Sequence, residues 1–399
     1  MQDHSNNTIF LSQASHGDFN MRTVLLRIDM NVPLGANGVV DSEEAYRIES
    51  ALPTIEWLRD AGAQILLIGH MGKGKDRDAE SLEPLLDYFQ GILGSRPAWL
   101  GDLANTPSEL LPQMYNLGKN IILCETLRFW PGSKPNNPDF VKSLVQSADM
   151  YVNDAFSVSH RDHASMTGIP QHLSSFLGLH IEKELHTLDA FIKKDEPTLM
   201  VIGGAKFGTK LALIQKFLDM GYWIAVVGAL AHAIYQARDI PTGKSLVDDE
   251  VDVSTIATHE RLLVADTVIV GDENKETKTV PVGEVKEGHA IFDAAPVFVD
   301  VLDDIIEKND ITRVLWNGPF GWYEEGFIDG SVAFAQLLKK YKGRVQSVVG
   351  GGDTVTLLRQ EELIGIPDFV STGGGALLDY LNDGELVAIE AVKMSKNDS

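Results

Sequence analysis

Short apolar runs, rich in valine, isoleucine and leucine, alternate with longer amphipathic stretches along nearly the whole chain, and this alternation restricts the fold more than any other feature. In the first half the order is "TVLLRID", "SALPTIEWLRDAG", "QILLIGH", "LEPLLDYFQGIL", "NIILC" and "MYVND". The second half repeats it, with "TLMVIGG", "YWIAVVG", "LLVADTVIV", "TRVLWNG", "SVVGGG" and "DFVSTGGG" as strand ends. Continuous apolar strands separated by helix-length segments predict an α/β fold with doubly wound, mostly parallel sheets. At 399 residues the chain exceeds one comfortable core, because domains run to roughly 100–200 residues. Two such Rossmann-like domains are expected.

The division falls near "HIEKELHTLDAFIKKDEPTLM", where Ile181, Leu185, Leu188 and Phe191 recur at helical spacing before a charged stretch and Pro197. The expected plan is therefore a first domain over 1–180, a connector helix and hinge over 181–194, and a second domain over 195–378. The remainder, 379–399, reads as a tail that packs back towards the first domain and frays at its end.

The formal charge of −23, from 57 acids against 34 bases, argues against general affinity for nucleic acid or an anionic membrane. Any anion site must be a local basic cluster. Cys124 is the only cysteine, which rules out an intrachain disulfide or a cysteine metal cluster within one chain and suits a reducing compartment. "MQDHSNNTIFLSQ" has no basic flank before an apolar core, and no apolar stretch reaches the ~18–20 residues of a membrane span. A cytoplasmic protein is expected.

In open α/β sheets ligands sit beyond the carboxyl ends of strands, where backbone and helix N-termini meet phosphate. Five glycine-bearing segments occupy such places in the second half: "IGGAKFGTK", "VVGALAHA", "LWNGPFGW", "VVGGGDT" and "STGGGALL". None is a Walker loop, because Gly208 is followed by Thr209 and only then Lys210, and no strand precedes the dinucleotide fingerprint GxGxxG. Lys206 and Lys210 beside the glycines suit a nucleotide's phosphates, and Asp353 suits either a Mg²⁺ ion or the N-cap of a helix. The first half contributes "RIDMNVPL", "YRIESALPTI", "GHMGKG", "ETLRFWPG" and "NDAFSVSHRDHAS", which present Arg47, His70, Lys73, Arg128, His160 and Arg161. A small polyanion is the natural guest of such a cluster.

In their order and over nearly the whole length, "RIDMNVPL", "RIESALPTI", "YVNDAF" with "HRDHAS", "GGAKFGTK", "WNGPFG", "GGGDT" and "STGGG" resemble the phosphoglycerate kinase family. The resemblance implies a monomeric two-domain enzyme that moves a phosphoryl group reversibly between 1,3-bisphosphoglycerate and ADP, with Mg²⁺, giving 3-phosphoglycerate and ATP. It implies that Asp29 and Asn31 bind the glycerate, and that Arg47, His70, Lys73, Arg128, His160 and Arg161 hold its phosphate and carboxylate. Arg47 and Lys206 are implied as catalytic, Lys206 escorting the moving phosphoryl group. For the nucleotide it implies Gly204, Lys210, Asn317, Pro319, Glu324 at the ribose, Gly351, Gly352, Thr354 and Gly374, with Asp353 on the metal.

The chain departs from the family at several points: "MGKG" puts Lys73 where a forked guanidinium is usual, and Ala229 and Ala295 stand where glycine is common. A weaker hold on the glycerate phosphate and a narrower base pocket are the expected consequences. Two other readings remain, an acyl-phosphate kinase for a different carboxylate and a catalytically quiet nucleotide-binding relative.

Overall fold

Six strands of the first half form one parallel sheet: β1 (Thr23–Arg27), β2 (Gln64–Ile68), β3 (Ala98–Leu100), β4 (Ile121–Cys124), β5 (Met150–Asn153) and β6 (Ser174–Leu177). In the computed structural model their order is β3-β4-β2-β1-β5-β6. The described residues are 9–395 apart from 36–37, 42–43, 73–79, 106–110, 112–114, 116–117, 119, 194–195, 205–207, 209 and 249–250. Every side chain from Val24 to Arg27 and from Ile65 to Ile68 is buried, as a parallel strand covered on both faces requires. The chain progresses from β1 through β2 to one edge and through β5 to the other, so the crevice beyond the carboxyl ends of β1 and β5 is the sheet's switch point. Asp29 and Asn31 leave β1 there, and Asp154 to Ser159 leave β5.

Asp154 anchors the connector helix. It is buried, and its Oδ1 accepts the backbone N–H of His180 at 3.0 Å and of Ile181 at 3.1 Å, capping the helix Leu179–Ile192. Burial pushes its carboxyl up to about 6, against the pull of His180 and these hydrogen bonds. Ile181, Leu185, Leu188 and Phe191, whose spacing predicts this helix, are its buried stripe. The chain divides into two compact units inside the same helix: Met1–His186 with Asp383–Ser399, and Thr187–Asn382. Within the first unit the C-terminal helix Val387–Met394 packs against β6 and the turns at Ala164–Gln171, and Ala388 N donates to Ser159 O at 3.1 Å.

The second unit holds β7 (Thr198–Ile202), β8 (Trp223–Val226), β9 (Leu262–Leu263), β10 (Thr267–Gly271), β11 (Thr277–Pro281), β12 (Ala290–Ala294), β13 (Arg313–Asn317), β14 (Gln346–Gly350) and β15 (Phe369–Val370). Six of them form a second parallel sheet ordered β15-β14-β13-β7-β8-β9, whose switch point lies between β7 and β13. The other three, β11-β10-β12, form a separate antiparallel sheet. The sequence reads "LLVADTVIV" as one strand, but it is split between the two sheets. Burial alternates along β10, and β11 is largely exposed; a sheet with one wet face is antiparallel by preference, whereas the central parallel strands β7 and β13 are buried throughout. No helix among the described residues is long and apolar enough to cross a membrane.

Candidate active site

In the first unit the site is built outward from a buried arginine. Arg27 ends β1 at 2% exposure, where Nη1 donates to Ile28 O at 2.6 Å and Nη2 lies 2.9 Å from His70 Nδ1. A guanidinium only donates, so Nδ1 accepts, and His70 Nε2 carries its proton towards Ser133 Oγ at 2.8 Å. Burial, then the charges of Arg27, His163, Arg128 and Arg161, hold His70 well below the usual histidine range. Its ring is therefore neutral, with both nitrogens engaged, and it orients its neighbours rather than adding a charge.

Asp29 joins the turns around this core. Its Oδ1 accepts Asn31 N at 2.9 Å, and its Oδ2 accepts the Ser157 hydroxyl at 2.5 Å and lies 3.6 Å from Arg47 Nη1. Arg47, at the start of the short helix Tyr46–Glu49, also donates from Nε to Glu44 Oε2 at 2.8 Å. Burial works against its charge, but Asp29, Tyr46 and Glu44 outweigh burial and raise its pKa. Asn31 Oδ1 accepts Gly72 N at 3.0 Å, and Gly72 O accepts Arg128 Nη1 at 2.5 Å, so the turns after β1 and β2 are tied to the turn Leu127–Phe129. Arg161 is exposed and donates from Nε to His160 Nε2 at 3.3 Å. Asp29, Asn31, Arg47, His70 and Arg128 are thus brought together, while Lys73 lies outside the described residues.

The potential of this cluster is legible in a histidine that sequence reasoning passed over. His163 is pushed down to about 4, by burial first and then by Arg27, Arg161, Arg128 and Lys134. Burial is the larger cause for both imidazoles, and the guanidinium groups add to it, so cations gather here in a chain whose net charge is −23. Arg27 and Ser133 were also missed. The available signal was Arg27 itself, a charge at the end of an apolar strand that must be buried on both faces.

In the second unit the turns after β7 and β13 touch. A Cβ on Gly318, whose φ is +108°, would lie 2.4 Å from Gly203 C, and one on Gly203 would lie 2.6 Å from Pro319 O. These two glycines let the switch-point turns pass each other, so their reason is backbone packing, not only access for phosphate. Gly351, with φ +92°, is the N-cap of the helix Gly352–Gln360 and makes no side-chain cap bond. Asp353 therefore does not cap that helix; it stands exposed in the first turn, with Oδ1 3.3 Å from the Tyr323 hydroxyl. Thr354 is turned inward, its Oγ1 accepting Gly318 N at 2.8 Å.

Lys210 precedes the helix Leu211–Asp219 and donates from Nζ to Gly203 O. Burial lowers its pKa, and Asp353 opposes that shift. Asn317 is 5% exposed, and its Nδ2 is a buried donor with no hydrogen-bond partner among the described residues. It lies beside the backbone of Gly350 and Gly351. Such a donor is costly unless a ligand oxygen meets it. Nothing within 4 Å would meet a Cβ at Gly374, so that backbone is open. Lys206 lies outside the described residues.

Gly204, Ala229, Pro319, Glu324 and Asp353 line a cleft of about 540 Å³ whose remaining wall is mainly apolar, the size of a nucleotide-class ligand. Ala229 stands in the wall, whereas Ala295 is buried and not among the lining residues. The described residues contain no group of three or more His, Cys, Asp or Glu able to hold a metal. A lone carboxylate at Asp353 still fits Mg²⁺, which takes one or two carboxylates and completes its shell with phosphate oxygens and water.

A family model described as phosphoglycerate kinase matches residues 14–384. The phosphoglycerate kinase of Maricaulis maris is 34% identical over 390 residues, covering 93% of this chain and 94% of its own. That of Rubrobacter xylanophilus is 35% identical over 379 residues, covering 92% and 94%. Among solved structures, phosphoglycerate kinase from Coxiella burnetii gives a TM-score of 0.79 at 27% identity, and that from Pyrococcus horikoshii 0.83 at 25%. Each covers 97% of this chain and 99% of its own.

Proposed function

This chain belongs to the phosphoglycerate kinase family and is a phosphotransferase, and from that premise we propose that it transfers a phosphoryl group reversibly between 1,3-bisphosphoglycerate and ADP. The first unit binds the phosphoglycerate and the second the nucleotide. What carries the assignment is the gathering of Arg27, Arg128 and Arg161 around His70 and His163, whose charges add to burial in lowering His163 to about 4. The orphaned Asn317 Nδ2 beside the Gly350–Gly351 elbow supports the second half of it.

An acyl phosphate is already activated, so the protein's task is alignment and charge neutralisation. Arg47, held by Asp29 and Glu44, meets the equatorial oxygens of the moving group from the glycerate side, and Lys206 does so from the nucleotide side. Lys210, Asn317 and the N-terminus of the helix Gly352–Gln360 hold the nucleotide's phosphates, with Glu324 at the ribose. Asp353 would hold Mg²⁺, which when bound neutralises charge shared between the terminal phosphates. With one ligand on each unit, transfer requires closure and expulsion of water. The same reading takes the protein as a cytoplasmic monomer; the buried free thiol of Cys124 suits the reducing compartment.

The glycerate assignment is tested by His163. Without ligand its NMR signals should not titrate between pH 5 and 7.5. A bound 3-phosphoglycerate, with its carboxylate and phosphate charges, offsets the neighbouring cations and should raise the imidazole pKa towards that window, shifting its signals. Unchanged His163 signals at saturating 3-phosphoglycerate would contradict the assignment.

A further inference from the structure

The nucleotide roles assigned above concern phosphates and ribose, and leave the base unread. His232 lies on the helix Leu230–Ala237 at 5% exposure, and its ring lines the cleft. Its Nδ1 is 2.7 Å from Leu246 O. A carbonyl only accepts, so Nδ1 carries the proton and Nε2 is a bare lone pair. Burial holds the imidazole below its ordinary pKa despite that hydrogen bond, which keeps the ring neutral. Nε2 makes no hydrogen bond among the described residues, and His232 is one of the residues that line the cleft.

Two other side chains of this wall are committed. The Tyr235 hydroxyl donates to Ala265 O at 2.7 Å, and Ser245 Oγ donates to Thr242 O at 2.5 Å while accepting Ile291 N at 2.8 Å. Asp293 Oδ2 accepts Gly330 N at 3.0 Å, while its Oδ1, buried beside Gly321 and Gly330, has no hydrogen-bond partner among the described residues. Around them the wall is apolar, with Val226, Val268 and Phe292 among its side chains.

We propose that His232 is the base-specificity determinant of the cleft, its Nε2 accepting a hydrogen bond from the exocyclic amino group of an adenine-type base. The proposal rests on the reading of this cleft as the nucleotide site. A base that lacks the amino donor strands a desolvated acceptor, and that penalty, more than the bond itself, sets the preference.

Calorimetric binding of ADP and of purine riboside 5′-diphosphate, the same ligand without the amino group, tests this without turnover. The parent should bind ADP about tenfold more tightly. His232→Phe should weaken ADP to the level of the analogue and leave the analogue's Kd nearly unchanged. His232→Gln, which can donate to Leu246 O and still present an acceptor, should keep part of the preference. A merely structural role would shift both ligands together. Equal Kd values in the parent, or a preference that survives His232→Phe, would overturn the proposal while leaving the nucleotide reading intact, and the parent comparison decides even where a variant fails to fold. Binding of neither ligand would overturn both.

Discussion

Arg47→Ala should lower kcat by about a hundred- to a thousandfold, the usual loss when one preorganised donor to transition-state charge is removed. The guanidinium is fixed before any ligand arrives: Nε donates to Glu44 at 2.8 Å, and Nη1 lies 3.6 Å from Asp29. Its charge is secured by those carboxylates. The fold should tolerate the change, because Asp29 keeps Ser157 and Asn31 N as partners and Arg47 is only partly buried. Arg47→Lys should fall between the parent and Arg47→Ala, since a lysine keeps the charge and loses the fork. Steady-state kinetics beside a thermal melt separates the cases. A normal kcat in Arg47→Ala would remove Arg47 from the reaction.

Asp353→Ala should reduce kcat/KM for the magnesium nucleotide on the order of a hundredfold and raise the Mg²⁺ concentration needed for half-maximal rate. The competing role, a helix cap, would have cost stability instead. Because Gly351 caps that helix without a side-chain bond, the variant should lose no more than the ~0.3–1 kcal/mol that an acid in a first helical turn contributes. A Mg²⁺ titration of initial rates decides: an unchanged magnesium requirement together with a lowered melting temperature would return Asp353 to a structural role.

The two parallel sheets were legible because burial on both faces writes a continuous apolar run into each strand, as in "TVLL" and "QILLI". The antiparallel sheet β11-β10-β12 was not, since β10 runs on from β9 with only three residues between them and β11 carries little apolar signal. Asp29, Arg47 and Arg128 could be singled out because they follow strands or open helical turns. Arg27 and His163 could not, because their importance lies in burial beside other cations, which depends on the packing of β1, β2 and the turns around them. The glycines were read as openings for phosphate; Gly203 and Gly318 instead meet each other, a long-range contact that no local spacing encodes. His232 was not singled out, because its interest lies in the Leu246 O bond and the cleft lining, which the fold alone brings together.

The central claim, phosphoryl transfer to a phosphoglycerate bound by one unit from a nucleotide bound by the other, is tested most directly by steady-state ATP consumption. The assay supplies 3-phosphoglycerate and Mg²⁺, removes 1,3-bisphosphoglycerate by coupling, and runs Lys206→Ala in parallel. The account predicts turnover that depends on 3-phosphoglycerate in the parent and is largely lost in the variant. No 3-phosphoglycerate-dependent turnover in a parent that binds ADP would contradict it.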